Sequence, residues 1–362
     1  MKQIVLFLSL AVLLLSCSTL SIPPLSSDPL ASEADILLQK HIQSEALVGV
    51  SAAVLVEDSI AWQGGFGYLD VEAKIQADSN MLHRLASVTK PMTATAIMHM
   101  VENGDLDLDV PIQTYLPDFP PKSEGDITIR HLLSHTSGIK TYRGLENRPT
   151  TEYPSLLEGT KVFRNRGLRS TPGTEYFYSS YGYTVLGAIL EEVSGMSYQA
   201  YMDQYIWQAA GMMYTSTEVF GQTYPNKAKL YKKVKRGFRT DKETNLSIKY
   251  PAGGVHSTVG DLLRFAQAIM HHRLISKKSQ DQMLIAPILE EEAKLSYGLG
   301  WIIAQDDILG PVQYHDGHQS GTSTILLLFP ERKAAIAVLA NSSRSMGAVN
   351  DIAQALEEMF LK

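Results

Sequence analysis

Strand-forming runs lie at both ends of this chain and helix-forming runs fill its middle, which limits the folds open to it. Val48–Glu57 and Ile60–Tyr68 are rich in β-branched and aromatic residues around Asp58-Ser59, the pattern of a hairpin. Tyr297–Ala304, Val312–His315, Ser323–Phe329 and Ala334–Asn341 read as further strands. Between the two groups, apolar spacing predicts helices over Val88–Asn103, stopped by Gly104, and over Tyr183–Ser194, Tyr198–Ala209 and Val259–His271. Glu33–Ala46 and Met346–Phe360 predict one more helix at each end. Strands from distant segments share a sheet only if the chain returns to where it began. The expected architecture is α/β (α+β), with a mixed, mainly antiparallel sheet built from N- and C-terminal segments. Helices flank that sheet, and a helix-rich subdomain is inserted. One domain would span 33–361, with its sheet part at about 33–85 and 295–361 and its helical part at about 100–290. A cleft between the two parts is the default place for a site.

Composition excludes several classes. Hydrophobic residues make up 44% and charged residues 19%, which suits a packed chain and not a disordered one. The formal charge is −6, so there is no general electrostatic case for a nucleic-acid partner. The single cysteine, Cys17, excludes an intramolecular disulfide and CxxC metal or redox sites. Residues 1–16 carry Lys2 and then the apolar run Ile4–Leu15, which is too short for a comfortable span and fits a signal peptide. The run ends Leu14-Leu15-Ser16-Cys17, which resembles the lipobox of bacterial lipoproteins. An ordinary secretory signal that happens to contain a cysteine is the plainer reading. The expectation is a lipid attached at Cys17, a Ser- and Pro-rich flexible tether over 17–32, and an exported, membrane-anchored protein facing the periplasm or outer surface.

Three short segments carry side chains suited to chemistry. Ser87-Val88-Thr89-Lys90 opens a helix, and residues i and i+3 share a helix face, so Lys90 can reach the Ser87 hydroxyl. A buried lysine with a lowered pKa can take the serine proton, and a helix N-terminus favours developing negative charge. A second SxxK, Ser137-Gly138-Ile139-Lys140, lies in turn-rich sequence and reads as a loop. Tyr178 and Ser180 lie just before the Tyr183 helix. A tyrosine near a lysine ammonium can act as phenolate base and acid, whereas the plain reading is a core aromatic. In His315-Asp316-Gly317-His318, alternation puts His315 and Gly317 on one face of a strand. Gly317 lets a ligand approach the backbone, and the His318 N–H can complete an oxyanion hole; the plain reading is a strand-end turn.

Together and in this order, the segments resemble the serine β-lactamase and penicillin-binding-protein superfamily, and within it class C-like serine hydrolases. The resemblance runs over about 33–361. It rests on RLASVTKPMTA, VENGDLDLDVPIQTYLPDFP, ITIRHLLSHTSGI, TPGTEYFYSSYGYTVLGAILEEVSG, PAGGVHSTVGDLLRF and the HDG with its following strand. It implies a β-lactamase/transpeptidase-like fold, Ser87 as the acylated nucleophile, Lys90 as proton acceptor and Tyr178 as a second acid/base. His315 stands where class C enzymes carry a lysine, and the oxyanion hole would be the N–H groups of Ser87 and His318. Three positions depart from the pattern. Ser180 replaces an asparagine that contacts the substrate's acylamide. His315 exchanges a permanent charge for one expected to titrate near pH 6.5, so activity on anionic substrates would fall as pH rises through about 6–7. Asp316 replaces a small hydroxyl residue and, near the pocket, would repel carboxylates. The implied function is a serine hydrolase acting through an acyl-enzyme on an ester or amide. It would be peptidase- or esterase-like, on D-amino acid or cell-wall peptides among others, with weak or no β-lactamase activity. The alternative is a non-catalytic penicillin-binding or scaffold protein on the same fold. A small-molecule or peptide substrate and the membrane are the expected partners, with no cofactor and no metal.

Other features are discounted. No G-x-S-x-G elbow is present, so an α/β-hydrolase lacks its main motif. His131 and His135 have i, i+4 spacing without the glutamate of a zinc helix and read as loop packing. Lys227–Lys242, with eight basic residues and one acid, reads as a solvated loop, or alternatively as a contact for anionic lipid or wall polymer. Glu290–Glu292 reads as exposed surface.

Overall fold

A computed structural model describes residues 28–44, 46–289 and 296–362, with the side chain of Asn147 excepted. The expected signal peptide, Cys17, most of the expected tether and Glu290–Glu292 lie outside the described residues. Helix α1 spans Pro29–Gln43. It starts inside the stretch expected to be tether, because the Leu30 amide donates to Asp28 Oδ1 at 3.0 Å and Pro29 suits a first turn.

Strands β1 (Gly49–Val56) and β2 (Ser59–Asp70) form the expected hairpin. Its two turn residues are Glu57 and Asp58, both at positive φ, the geometry of a type I′ turn that follows the twist of the strands. A short β3 (Ile75–Gln76) follows. Helices α2 (Thr89–Glu102), α3 (Ser180–Ser194) and α4 (Val259–Met270) come from the middle of the chain. Gly104 and Gly195, both at positive φ, lie just past the ends of α2 and α3. The late strands are β4 (Ile302–Asp306), β5 (Gly310–Gln319), β6 (Thr322–Phe329) and β7 (Ala334–Ala340), and α5 (Met346–Leu361) follows. The strand expected from Tyr297 begins only at Ile302. Gly300, at φ +90°, bends the chain between them, and Tyr297 keeps a single isolated bridge to Ile302.

The main sheet has the order β3-β2-β1-β7-β6-β5-β4, and each of these pairings is antiparallel. Strands from the two ends of the chain meet where β1 pairs with β7, Val50 opposite Ala340. This bears out the expected sheet of N- and C-terminal segments. Both faces are buried, as the period-2 side chains of β7 show. Ala335, Ala337 and Leu339 join the large core with α2, α3 and α4. Ala334, Ile336, Val338 and Ala340 join a second core with α1 and α5. Among the described residues no helix is long and apolar enough to cross a membrane. Strand β4 covers β5 only from Gly310 to Tyr314, so among the described residues His315–Gln319 has no strand on that side. The 3-10 turn Ala86–Val88 packs there, and the cleft opens beside it.

Candidate active site

Ser87 is presented by a constrained turn. Ala86 sits at φ +49°, a conformation that an alanine holds only when its surroundings impose it. The surroundings are backbone bonds and two glycines. Thr322 Oγ1 donates to the Arg84 carbonyl and Thr324 Oγ1 to the Leu85 carbonyl, each at 2.8 Å, and the Leu85 amide donates to Val255 O at 2.9 Å. On one side a β-carbon at Gly317 would lie 2.5 Å from Leu85 O and 3.0 Å from Ser87 N. On the other, one at Gly253 would lie 3.2 Å from Ala86 C. Only bare backbone fits so close.

Lys90 follows on α2 and is fully buried. Its Nζ lies 3.0 Å from Ser87 Oγ, 3.3 Å from Ser180 Oγ and 2.7 Å from Ala252 O. Lys90 Nζ donates to the last two, and in its amine form it can accept the Ser87 hydroxyl proton. Burial first, and then the charge of Lys249, hold its pKa well below the usual lysine range, while Asp316 opposes them. The turn that carries Ala252, Tyr250–Gly253, is fixed to α2 because Thr93 Oγ1 donates to Pro251 O at 2.7 Å.

Tyr178 lies across the cleft, with Lys90 Nζ 4.9 Å from its ring centroid. Burial pushes its hydroxyl well above the usual tyrosine range, and its hydrogen bond with Ser87 acts the other way. Burial thus favours the phenol form of Tyr178 and the amine form of Lys90, each the reverse of the phenolate and ammonium of the sequence-based expectation. Behind it stands His135, whose ring centroid is 4.2 Å from that of Tyr178 and whose Nδ1 accepts the Ser179 amide at 3.3 Å. From its spacing alone, His135 reads as loop packing. It does pack, but as the rear wall of the site, and its left-handed backbone (φ +58°) aims it there. His131 instead accepts the Thr128 amide in a helix cap.

His315 is buried on β5. Its Nδ1–H donates to Asp316 O at 2.6 Å, and Tyr297 O–H donates to its Nε2 at 3.1 Å. Burial, and then the Lys90 charge, lower its pKa to about 3. His315 is therefore neutral at physiological pH. The expected loss of its charge between pH 6 and 7 does not occur, because desolvation has already removed that charge. Gly317 presses on the Ser87 turn as described, and the exposed His318 lines the cleft beside it. The cleft encloses about 700 Å³. Its lining includes Ser87, Tyr178, Ser180, His315 and His318. Asp316 also lines it, but with Arg148, Lys232, Lys249 and Arg344. The carboxylate expected to repel anionic substrates therefore stands among four basic side chains.

Ser137, of the second SxxK, accepts the Ile139 amide at 3.3 Å in a turn with no helix behind it. The basic stretch is not a uniform solvated loop. Lys227 pairs with Glu218 at 3.0 Å and Lys229 with Glu72 at 2.9 Å, and Lys232 reaches the cleft from the short hairpin Tyr231–Lys233 with Phe238–Thr240. Sequence reasoning missed Tyr142, Lys249 and Tyr297 as parts of the site. They come from segments with no motif of their own, and only folding brings them to the cleft.

A serine paired with the lysine one helical turn away, at the edge of an antiparallel sheet capped by a helical insert, defines the class of SxxK serine hydrolases and their relatives. The comparison with protein families agrees. The Beta-lactamase model matches residues 34–358, and the chain belongs to that family. It is 28% identical to the human serine beta-lactamase-like protein LACTB, mitochondrial, over 78% of this chain and 69% of that protein. It is 29% identical to penicillin-binding protein 4* of Bacillus subtilis (strain 168), over 83% of this chain and 70% of that one. Among solved structures, D-amino acid amidase from Ochrobactrum anthropi SV3 superposes with a TM-score of 0.79 at 25% identity, covering 92% of this chain and 98% of its own.

Proposed function

We propose that this protein is a serine hydrolase that opens an ester or amide through an acyl-enzyme at Ser87. The observation that carries this reading is the 3.0 Å contact between Lys90 Nζ and Ser87 Oγ, with Lys90 wholly buried and shifted toward its amine form. Lys90 takes the Ser87 proton as Oγ bonds to the carbonyl carbon. The resulting oxyanion is held by the N–H groups of Ser87 and His318. Tyr178 gives its proton to the leaving oxygen or nitrogen as that bond breaks, and the Lys90 ammonium replaces it. A water then attacks the acyl carbon and loses its proton to the Lys90–Tyr178 pair, and the Ser87 hydroxyl is restored. The cationic lining of the cleft favours substrates that carry negative charge. Weak or absent β-lactamase activity follows from Ser180 at the asparagine position and from a neutral His315 at the lysine position.

Replacing Ser87 with Ala should lower turnover of a p-nitrophenyl ester by roughly four to six orders of magnitude. It should also abolish fluorophosphonate labelling, while Ser137→Ala retains both. If Ser137→Ala silences the protein and Ser87→Ala does not, the nucleophile is wrongly assigned. A wild-type chain inert to both probes would favour the non-catalytic alternative.

The same reading includes export and a lipid on Cys17, with the domain facing the periplasm or outer surface. It is supported by the order of apolar run, small residue and cysteine in the sequence. Cells grown with labelled palmitate should label the full chain and not Cys17→Ala; persistent label on the variant would refute it.

A further inference from the structure

The cleft holds a second lysine that the proposed reaction leaves unused. Lys249 is buried and lies 4.3 Å from the Tyr142 ring centroid. Tyr142 and Ser180 line the cleft together, and Ser180, whose Oγ accepts from Lys90 Nζ at 3.3 Å, acts on the Tyr142 hydroxyl. Lys249 also ends the 3-10 turn Ser247–Lys249, which runs directly into Tyr250–Gly253, and Lys90 donates to that turn at Ala252 O. Lys249, which lines the cleft, and Lys90 behind it are thus tied by backbone on one side and by Tyr142 and Ser180 on the other. A buried cation is expensive to keep unless it has a task.

We propose that Lys249 is a positioning residue for acylation: its buried ammonium, seated on the Tyr142 ring and linked through Ser180 to Lys90, holds Lys90 as the free amine that faces Ser87. The proposal rests on the reading of Ser87 and Lys90 as nucleophile and base. Like charges in one site cannot both be kept, so a proton on Lys249 disfavours one on Lys90. Lys249 is the leading charge acting on Lys90. Burial itself, with Arg84 and Arg148, lowers Lys249 to about 7, so it is protonated below neutrality, where Lys90 must stay bare. The other titratable groups around it are Tyr142 beneath, Lys90 beyond Ser180, and Lys232, His315 and Asp316 lining the same cleft. Of the acids on the packed helices, Glu158 pairs with Lys161 at 2.5 Å, and Glu191 accepts the amides of Leu156 and Tyr198. Both are engaged elsewhere.

The test is the pH dependence of fluorophosphonate labelling of Ser87 in the purified protein. Labelling needs amine Lys90, so its rate falls on the acid side with the pKa of Lys90. In Lys249→Met the acid limb should move up by roughly one pH unit, the low end of what a like charge does in a shared site. On that limb labelling slows about tenfold at a given pH. Lys249→Arg, which keeps the charge, should leave the limb where it is in the wild type. A limb that stays in place in a folded Lys249→Met, or that moves equally in both variants, overturns the proposal. Absence of labelling in the wild type would instead overturn the reading of Ser87, so the two failures are distinguishable.

Discussion

A methyl group added at Gly317 has no room: Leu85 O, Thr324 Oγ1 and Ser87 N all stand within 3.0 Å of where it would go. Leu85 O and Ser87 N belong to the backbone that sets the nucleophile, and Leu85 O is already tied to Thr324. Overpacking of this kind costs about 1–3 kcal/mol. Relief requires the Ser87 amide or β5 to shift, which spoils the oxyanion site. Gly317→Ala should therefore lower kcat by roughly 10²- to 10³-fold, with KM little changed. Equal loss in both, or none, would show that this contact does not govern the chemistry. Neighbouring His315 shows how burial overrides residue type. Its family position carries a cation, but its imidazole is desolvated and bonded at both nitrogens, so it stays neutral. It serves instead as a fixed acceptor for Tyr297.

The elements with strong periodicity were legible from sequence. The β1–β2 hairpin, α2 to its Gly104 stop, and β6 and β7 each fall within a few residues of their expected bounds. Elements set by long-range pairing were not. His83–Arg84, Ser216–Thr217 and Val255–Ser257 form one small sheet, but each is two or three residues long and has no local pattern. β5 reads in sequence as four residues and folds as ten, because β6 pairs with it from Gln313 to Gln319. That extension carries His315–Gln319 past the end of β4 and, among the described residues, leaves that edge without a strand beside Ser87. α1 extends further toward the N-terminus than its apolar spacing suggested, since the cap at Asp28 and not periodicity sets its start.

For the whole molecule, buried histidines couple folding to pH. Burial lowers His83 and His315 to about 3 and His256 to about 4, and it lowers His135 well below its ordinary value. In the unfolded chain each binds a proton near pH 6.5. Their burial as neutral rings is therefore free of proton linkage above that pH. Below it, the unfolded state binds protons that the fold excludes, and stability falls until the folded values are reached. Each such group contributes a slope of up to about 1.4 kcal/mol per pH unit. Thermal unfolding should show a Tm roughly 5–10 °C lower at pH 5 than at pH 7. An unchanged Tm over that range would mean that these rings gain their protons without unfolding. Burial raises the Glu218 carboxyl, but Arg84 and then Lys227 together outweigh it and hold the group at about 2, so it adds to the loss only at still lower pH, since its unfolded value is near 4.5.

The sequence alone determined the plan of the sheet, because strand-forming runs at both ends of the chain, with helices between them, bury their apolar faces by sharing one sheet. It also determined the pairing of Ser87 with Lys90: they lie one helical turn apart, and a local helix suffices to join them. Tertiary structure decided the rest. Lys90 is shifted toward its amine form because α2 is enclosed by the Tyr250–Gly253 turn and α3, and His315 toward its neutral form because β5 is covered. Tyr142, Lys249 and Tyr297 enter the site from segments far apart in the chain. Protonation states and convergent side chains depend on solvent exclusion and on long-range contacts, and neither is encoded in the spacing of nearby residues.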